Sequence, residues 1–215
     1  MMDELELLKK DWQRNEENYP KFSESDIYPM LLRKSSSIVR WIFYISIIEF
    51  ILPHLLFLVP TVRNSMKIYE EMGLHHVFMI LTAIQYTVVI FFMFQFYKRY
   101  REISVLDNAK KLLSNILKTR RTVKHYVLFC LSMIVISYGV FMVSIYLNDN
   151  FVENFELGER TKNIAPEKLK TTLIAFIGVI GVFLTVVMGV VYFLLYGLLL
   201  RKLKKNYKEL QQLEV

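Results

Sequence analysis

The chain has a single cysteine, Cys130, so no intrachain disulfide can form. It has no glycine-rich phosphate loop, no nucleophile elbow and no acid pair of the kind a soluble hydrolase carries. Nothing at the level of motifs therefore argues for an enzyme, and no cofactor is implied. The start is polar and acidic and the first apolar run begins only near Val39, which predicts no cleavable signal peptide; that run itself would direct insertion. Position 2 is Met and the last residues lack cysteine, so neither myristoylation nor prenylation is expected. Inside the apolar runs acidic residues are absent, save for Glu49.

What the chain does have is apolar length. Of its 215 residues 54% are hydrophobic and 14% aromatic, and the excess lies in four runs, residues 39–59, 75–96, 126–147 and 172–200. About 20 residues at ~1.5 Å each cross ~30 Å of hydrocarbon. Lipid leaves backbone N–H and C=O groups without partners, so each run must be helical. The predicted fold is all-α, with four transmembrane helices and amphipathic helical extensions. It divides into an N-terminal segment 1–38, a membrane domain 39–200 that includes a basic helical connection 97–124, and a basic helical tail 201–215.

Charge sets the orientation. The connection 97–124 alone carries nine Lys/Arg, and 21 of the 27 fall in this connection, the tail and the N-terminal part up to Arg40 at the very start of the first run. The positive-inside bias places all three in the cytosol, with both termini inside. The net charge of +7 then points to anionic lipid headgroups as a partner, and not to nucleic acid.

Outside the runs, Leu5, Leu8 and Trp12 share one face of a short amphipathic helix. That face would dock a cytosolic protein or lie on the bilayer or on the chain's own helices. Ser23 and Asp26 resemble a capping box, and the run Ser35, Ser36, Ser37 is a plausible bend before the first span. The apolar spacing of Ile103, Leu106, Leu113, Ile116 and Leu117 predicts a second helical piece ahead of the third span. In the tail, Leu203, Tyr207 and Leu210 share a face that would pack on this piece or form a short coiled coil.

Three sets of residues are candidates for function. Glu49 is a carboxylate in a span, which by default faces protein or a water-filled cavity. Counting depth from the run ends sets Glu49, Gln85, Tyr86, Ser137, Tyr138 and Thr185 near the span midpoints, where they would form a polar layer. That layer would move ions or substrate, or it would hold a neutral Glu49 on Gln85 or Tyr86 and fix two helices in register. The second set is His54, His75 and His76 at the outer end, with Glu70 and Glu71 nearby. Imidazoles and a carboxylate suit zinc, but adjacent histidines point ~100° apart on a helix and no spaced ligand motif is present. The third set, Gly181, Thr185, Gly189 and Gly197, lies on a four-residue repeat broken at Phe193. This small-residue face permits close helix packing, within the chain or across a homodimer.

The stretch from Asp3 to Trp12, the run from Lys34 to Trp41 and the pair Asp107–Leu113 and Ile116–Arg120 resemble a group of small uncharacterised four-span proteins of the bacterial inner membrane. Some of that group carry a carotenoid-cleaving oxygenase label. The enzymes behind that label resemble a β-propeller with four iron-binding histidines. Here there are four histidines in all, each on a predicted helix, with His125 on the cytosolic side and the others towards the outside. The resemblance therefore implies a bacterial inner membrane and no activity. Two function classes follow from the residues: a regulatory or scaffolding protein that offers a cytosolic helical platform, and a small transporter or channel built on Glu49.

Overall fold

The long apolar runs become long helices, and most of them do not stop where the apolar residues stop. In the computed structural model, residues 24–56, 58–60, 73–104, 109–148 and 165–213 are described, and among them there is no strand. Helix α1 spans Glu24–Leu56, α2 His75–Ser104, α3 Ala109–Leu147 and α4 Pro166–Tyr192; a π-helical turn, Phe193–Gly197, leads without a break into α5, Leu198–Leu213. Four stretches are long and apolar enough to cross a membrane: Ile27–Leu56, His75–Ile103, Lys110–Leu147 and Glu167–Gln212. At 39 residues, α3 is ~58 Å long, nearly twice the thickness of a hydrocarbon core. The excess projects at the end that carries the Lys/Arg clusters, called here the basic end.

Two sequence expectations change at this point. The serine run is no bend: α1 continues through Ser35, Ser36 and Ser37, because Ser35 is fully buried and its Oγ accepts a 3.1 Å hydrogen bond from Asn206 Nδ2. The piece ahead of the third span is not a separate helix either. Its Leu113, Ile116 and Leu117 lie in the first turns of α3, which runs unbroken from Ala109 to Leu147, whereas Ile103 is near the end of α2 and Leu106 lies outside the described residues. The tail does pack on this part of α3, and also on α1. The face of Leu5, Leu8 and Trp12, the Ser23 cap, and Glu70 and Glu71 lie outside the described residues.

The core is concentrated at the basic end. There α1, α2, α3 and α5 enclose Leu31, Ile38, Val39, Ile103, Leu112, Ile116, Val123, Leu203 and Leu210, each no more than 7% exposed. Outside it, Arg40 lies over the Tyr100 ring at 5.8 Å, and Arg99 pairs with Glu102 at 2.9 Å. At the opposite end a smaller cluster centres on Leu74 and Ile145, with Phe78, Phe141, Leu173 and Ile177 around it. Between the two, α4 packs chiefly on α3, whereas α1 packs on α2 and α5. Gly181 lets α4 approach α3, since a Cβ there would stand 3.0 Å from the Tyr138 ring.

Candidate functional site: a carboxylate held by two phenols

Glu49 lies on the core-facing stripe of α1, one turn after the fully buried Ser46. Its Oε2 accepts two hydrogen bonds, from Tyr126 Oη on α3 at 2.7 Å and from Tyr196 Oη in the π-turn at 2.9 Å. Both phenols are about 1% exposed, so neither has solvent as an alternative partner. The three groups tie α1, α3 and the α4–α5 rod together at one point. Their donors and acceptors match: two O–H groups meet one acceptor oxygen, which can bear no proton itself.

Aromatic rings build the surroundings. Tyr126 meets Tyr192 edge-on at 6.4 Å, Tyr196 at 5.8 Å, Phe92 at 5.5 Å and Phe96 at 5.5 Å. Tyr192 and Tyr196 stack at 6.0 Å. The π-turn begins directly after Tyr192; it widens the helix by one residue per turn, an arrangement common where a side chain needs placing. Cys130, one turn beyond Tyr126, is buried.

The groups predicted at the span midpoints fall in three places. Tyr86 does not bond Glu49; its ring contacts Phe50 at 5.6 Å and His54 at 5.2 Å. Gln85 is exposed on the outer surface of α2. Ser137 Oγ donates to Met133 O and Thr185 Oγ1 to Gly181 O, each within its own helix, while Tyr138 packs on Gly181. Of the small-residue repeat, Gly181 meets a neighbouring helix, Gly189 has no atom within 4 Å of its Cβ position, and Gly197 lies under the ring of Phe193. Phe193, where the repeat breaks, is also where the π-turn starts.

The histidines are not gathered. His54 Nδ1 donates to Phe50 O at 2.7 Å and its ring rests on Tyr86. His75 and His76 stand at the start of α2, eleven and ten residues from Tyr86, or ~15 Å along the helix. Among the described residues no group of three His, Cys, Asp or Glu is placed to hold a metal.

Sequence reasoning singled out Glu49 and missed Tyr126, Tyr192 and Tyr196. Tyr126 follows Lys124 so closely that it reads as a residue of the membrane interface, and the other two are embedded in an apolar run. A tyrosine pair four apart beside a break in the small-residue repeat was the available signal.

Residues 25–215 match the model of one family, described as a domain of unknown function (DUF8845). No curated protein matches the chain. No solved structure matches it.

Proposed function

The chain belongs to that family of unknown function, and from this premise we propose that it is a regulatory or scaffolding membrane protein whose basic end is a platform for a soluble partner. The observation that carries this reading is the distribution of the core. The best-packed part is the four-helix assembly at the basic end, projecting past the lengths that lipid requires. A protein that only crossed a bilayer would have no need of the buried Leu31, Leu112, Leu203 and Leu210 layer. By the positive-inside rule the platform faces the cytosol of a bacterial inner membrane, with its Lys and Arg over anionic headgroups. The face of Leu5, Leu8 and Trp12 is the docking candidate on the segment that precedes it.

The test is a mild-detergent pull-down of full-length protein beside a form that lacks residues 1–22, read by mass spectrometry. A soluble partner captured by the full chain and lost from the shorter one supports the platform. Recovery of the protein alone from both removes it.

One observation favours a second reading, a small transporter or channel. Glu49 is an acid inside an apolar span whose partners are phenols, with no Lys, Arg or His bonded to it among the described residues. Such a group is suited to taking up and releasing a proton or cation. In reconstituted vesicles the Glu49→Gln protein should then fold and not transport, and a normal rate would exclude this reading. A homodimer across the open surface at Gly189 is compatible with either.

A further inference from the structure

The basic end is short of acid where two of its helices meet. Between Ala109 and Tyr126, α3 carries six Lys/Arg and no Asp or Glu. α5 packs on it and carries Arg201, Lys202, Lys204, Lys205 and Lys208; its one acid, Glu209, stands 3.8 Å from Lys205. Most of these cations are exposed, and salt water screens them. Arg120 is different. It is half-buried, and its Nε is enclosed without a hydrogen-bond partner among the described residues. Arg99 Nε is enclosed as well, but that guanidinium has Glu102 at 2.9 Å. No carboxylate on α3 does the same for Arg120, whose enclosed donor lacks the acceptor it needs.

Helix periodicity gives the side on which Arg120 stands. Eighteen residues make five turns. Arg120 and Tyr138 are eighteen apart, and so are Lys124 and Met142. Tyr138 packs on Gly181 of α4, and Met142 on Gly178. Arg120 and Lys124 therefore belong to the side of α3 that faces the α4–α5 rod. Lys118 belongs to the other flank, about three turns before Phe129, whose ring meets Phe92 of α2 at 6.4 Å. The shared carboxylate gives the height. Tyr126 and Tyr196 both bond Glu49 Oε2, so α3 and the rod are level there. The apolar runs of α2 and α3 end at that level too, since Phe96 meets Tyr126 at 5.5 Å. From it towards the basic end, Lys124 is ~3 Å out, Arg201 ~7 Å and Arg120 ~9 Å. A headgroup layer is ~5–8 Å deep, so these cations stand within it or at its outer limit.

We propose that the seam between α3 and α5 binds one phosphate of an anionic membrane lipid, held by Arg120 and Lys124. A phosphate diester brings the negative charge and the acceptor oxygens that the enclosed guanidinium lacks, and an arginine fork takes two such oxygens at once. The cations of α5 add to the same field. The lipid thereby relieves repulsion between two packed helices of like sign. The site rests on the reading that the basic end meets anionic headgroups, and adds to it one defined place; the soluble partner is a separate question.

The experiment is native mass spectrometry of the full-length protein, released from an uncharged detergent after titration with phosphatidylglycerol or with phosphatidylcholine of the same acyl chains, whose choline cancels the charge. The wild type is expected to hold one phosphatidylglycerol at least roughly tenfold more tightly than phosphatidylcholine, and a millimolar excess of inorganic phosphate should not displace it. Arg120→Gln and Lys124→Gln should each weaken that first binding roughly tenfold, the scale of one charge-assisted hydrogen bond. Lys118→Gln, an equal loss of charge on the flank towards α2, should leave it unchanged. Lys124 is exposed, so Lys124→Gln serves alone if Arg120→Gln does not give a folded protein. A wild type that holds both lipids equally overturns the proposal together with the headgroup reading. A preference for phosphatidylglycerol that survives the Arg120 and Lys124 substitutions, or that Lys118→Gln lowers as much, overturns the site and leaves that reading standing. Displacement by inorganic phosphate makes the ligand free phosphate and overturns the lipid.

Discussion

Two phenols converging on one carboxylate oxygen make Glu49 the most sensitive single position in the membrane half. The bonds cross 77 and 147 residues of sequence and join three helices. Replacing the acid with an amide keeps an acceptor for Tyr126 and Tyr196; replacing it with leucine leaves two buried hydroxyls with none. Glu49→Leu should therefore unfold at clearly lower temperature in detergent than Glu49→Gln. Tyr126→Phe or Tyr196→Phe, each removing one donor, should cost about 0.5–2 kcal/mol, the range found for hydrogen bonds between membrane helices. Thermal unfolding followed by circular dichroism checks the ranking. Equal midpoints for the leucine and glutamine forms would show that the carboxyl does not hold the helices together.

At the scale of the element, the glycines of the last span divide into two kinds. A Cβ at Gly181 would stand 3.0 Å from the Tyr138 ring, so Gly181→Ala needs that ring to give way by a few tenths of an ångström and should cost about 1–3 kcal/mol. A Cβ at Gly189 would meet nothing within 4 Å, and alanine is the better helix former there by up to ~1 kcal/mol. The two variants should thus shift the unfolding midpoint in opposite directions when the protein is monomeric. Loss of a dimer on Gly189→Leu, seen by cross-linking, would assign that open face to a second copy.

The same helices show what the sequence could and could not convey. Apolar length located all four spans, because any 20-residue apolar segment in lipid must be a helix. It did not locate their ends: polar residues from Arg99 to Ser104 and from Lys110 to Lys124 continue the helices, since helix propensity and packing, and not hydropathy, decide where a helix stops. Ser35 read as a bend because hydroxyls favour turns, but its partner Asn206 comes from the other end of the chain. Glu49 stood out by charge alone; its tyrosines did not, because helix-to-helix contacts between distant residues leave no local pattern.

Taken whole, the described residues have their larger buried cluster at the basic end and a smaller one, around Leu74 and Ile145, at the other. Leu203 and Leu210 are completely or almost completely buried against α1 and α3, and α5 is the fourth wall of the basic-end core. Leu203→Ala should cost about 2–5 kcal/mol, as for other fully buried leucines. The loss should appear as lower thermal stability together with faster proteolysis of the basic end. An unchanged midpoint and cleavage pattern would mean that α5 does not seal the core. Truncating Leu194, which is 53% exposed, should change neither in detergent.

The π-turn joins two arms of unequal length. From Tyr196 the rod extends 14 residues to Leu210 and 27 back to Leu169, about 21 and 40 Å. A rigid tilt about that point works as a lever with its fulcrum at the tyrosines. Each ångström of movement imposed on the short arm becomes about two at the far tip, and the angle changes at the very place where Tyr196 grips Glu49.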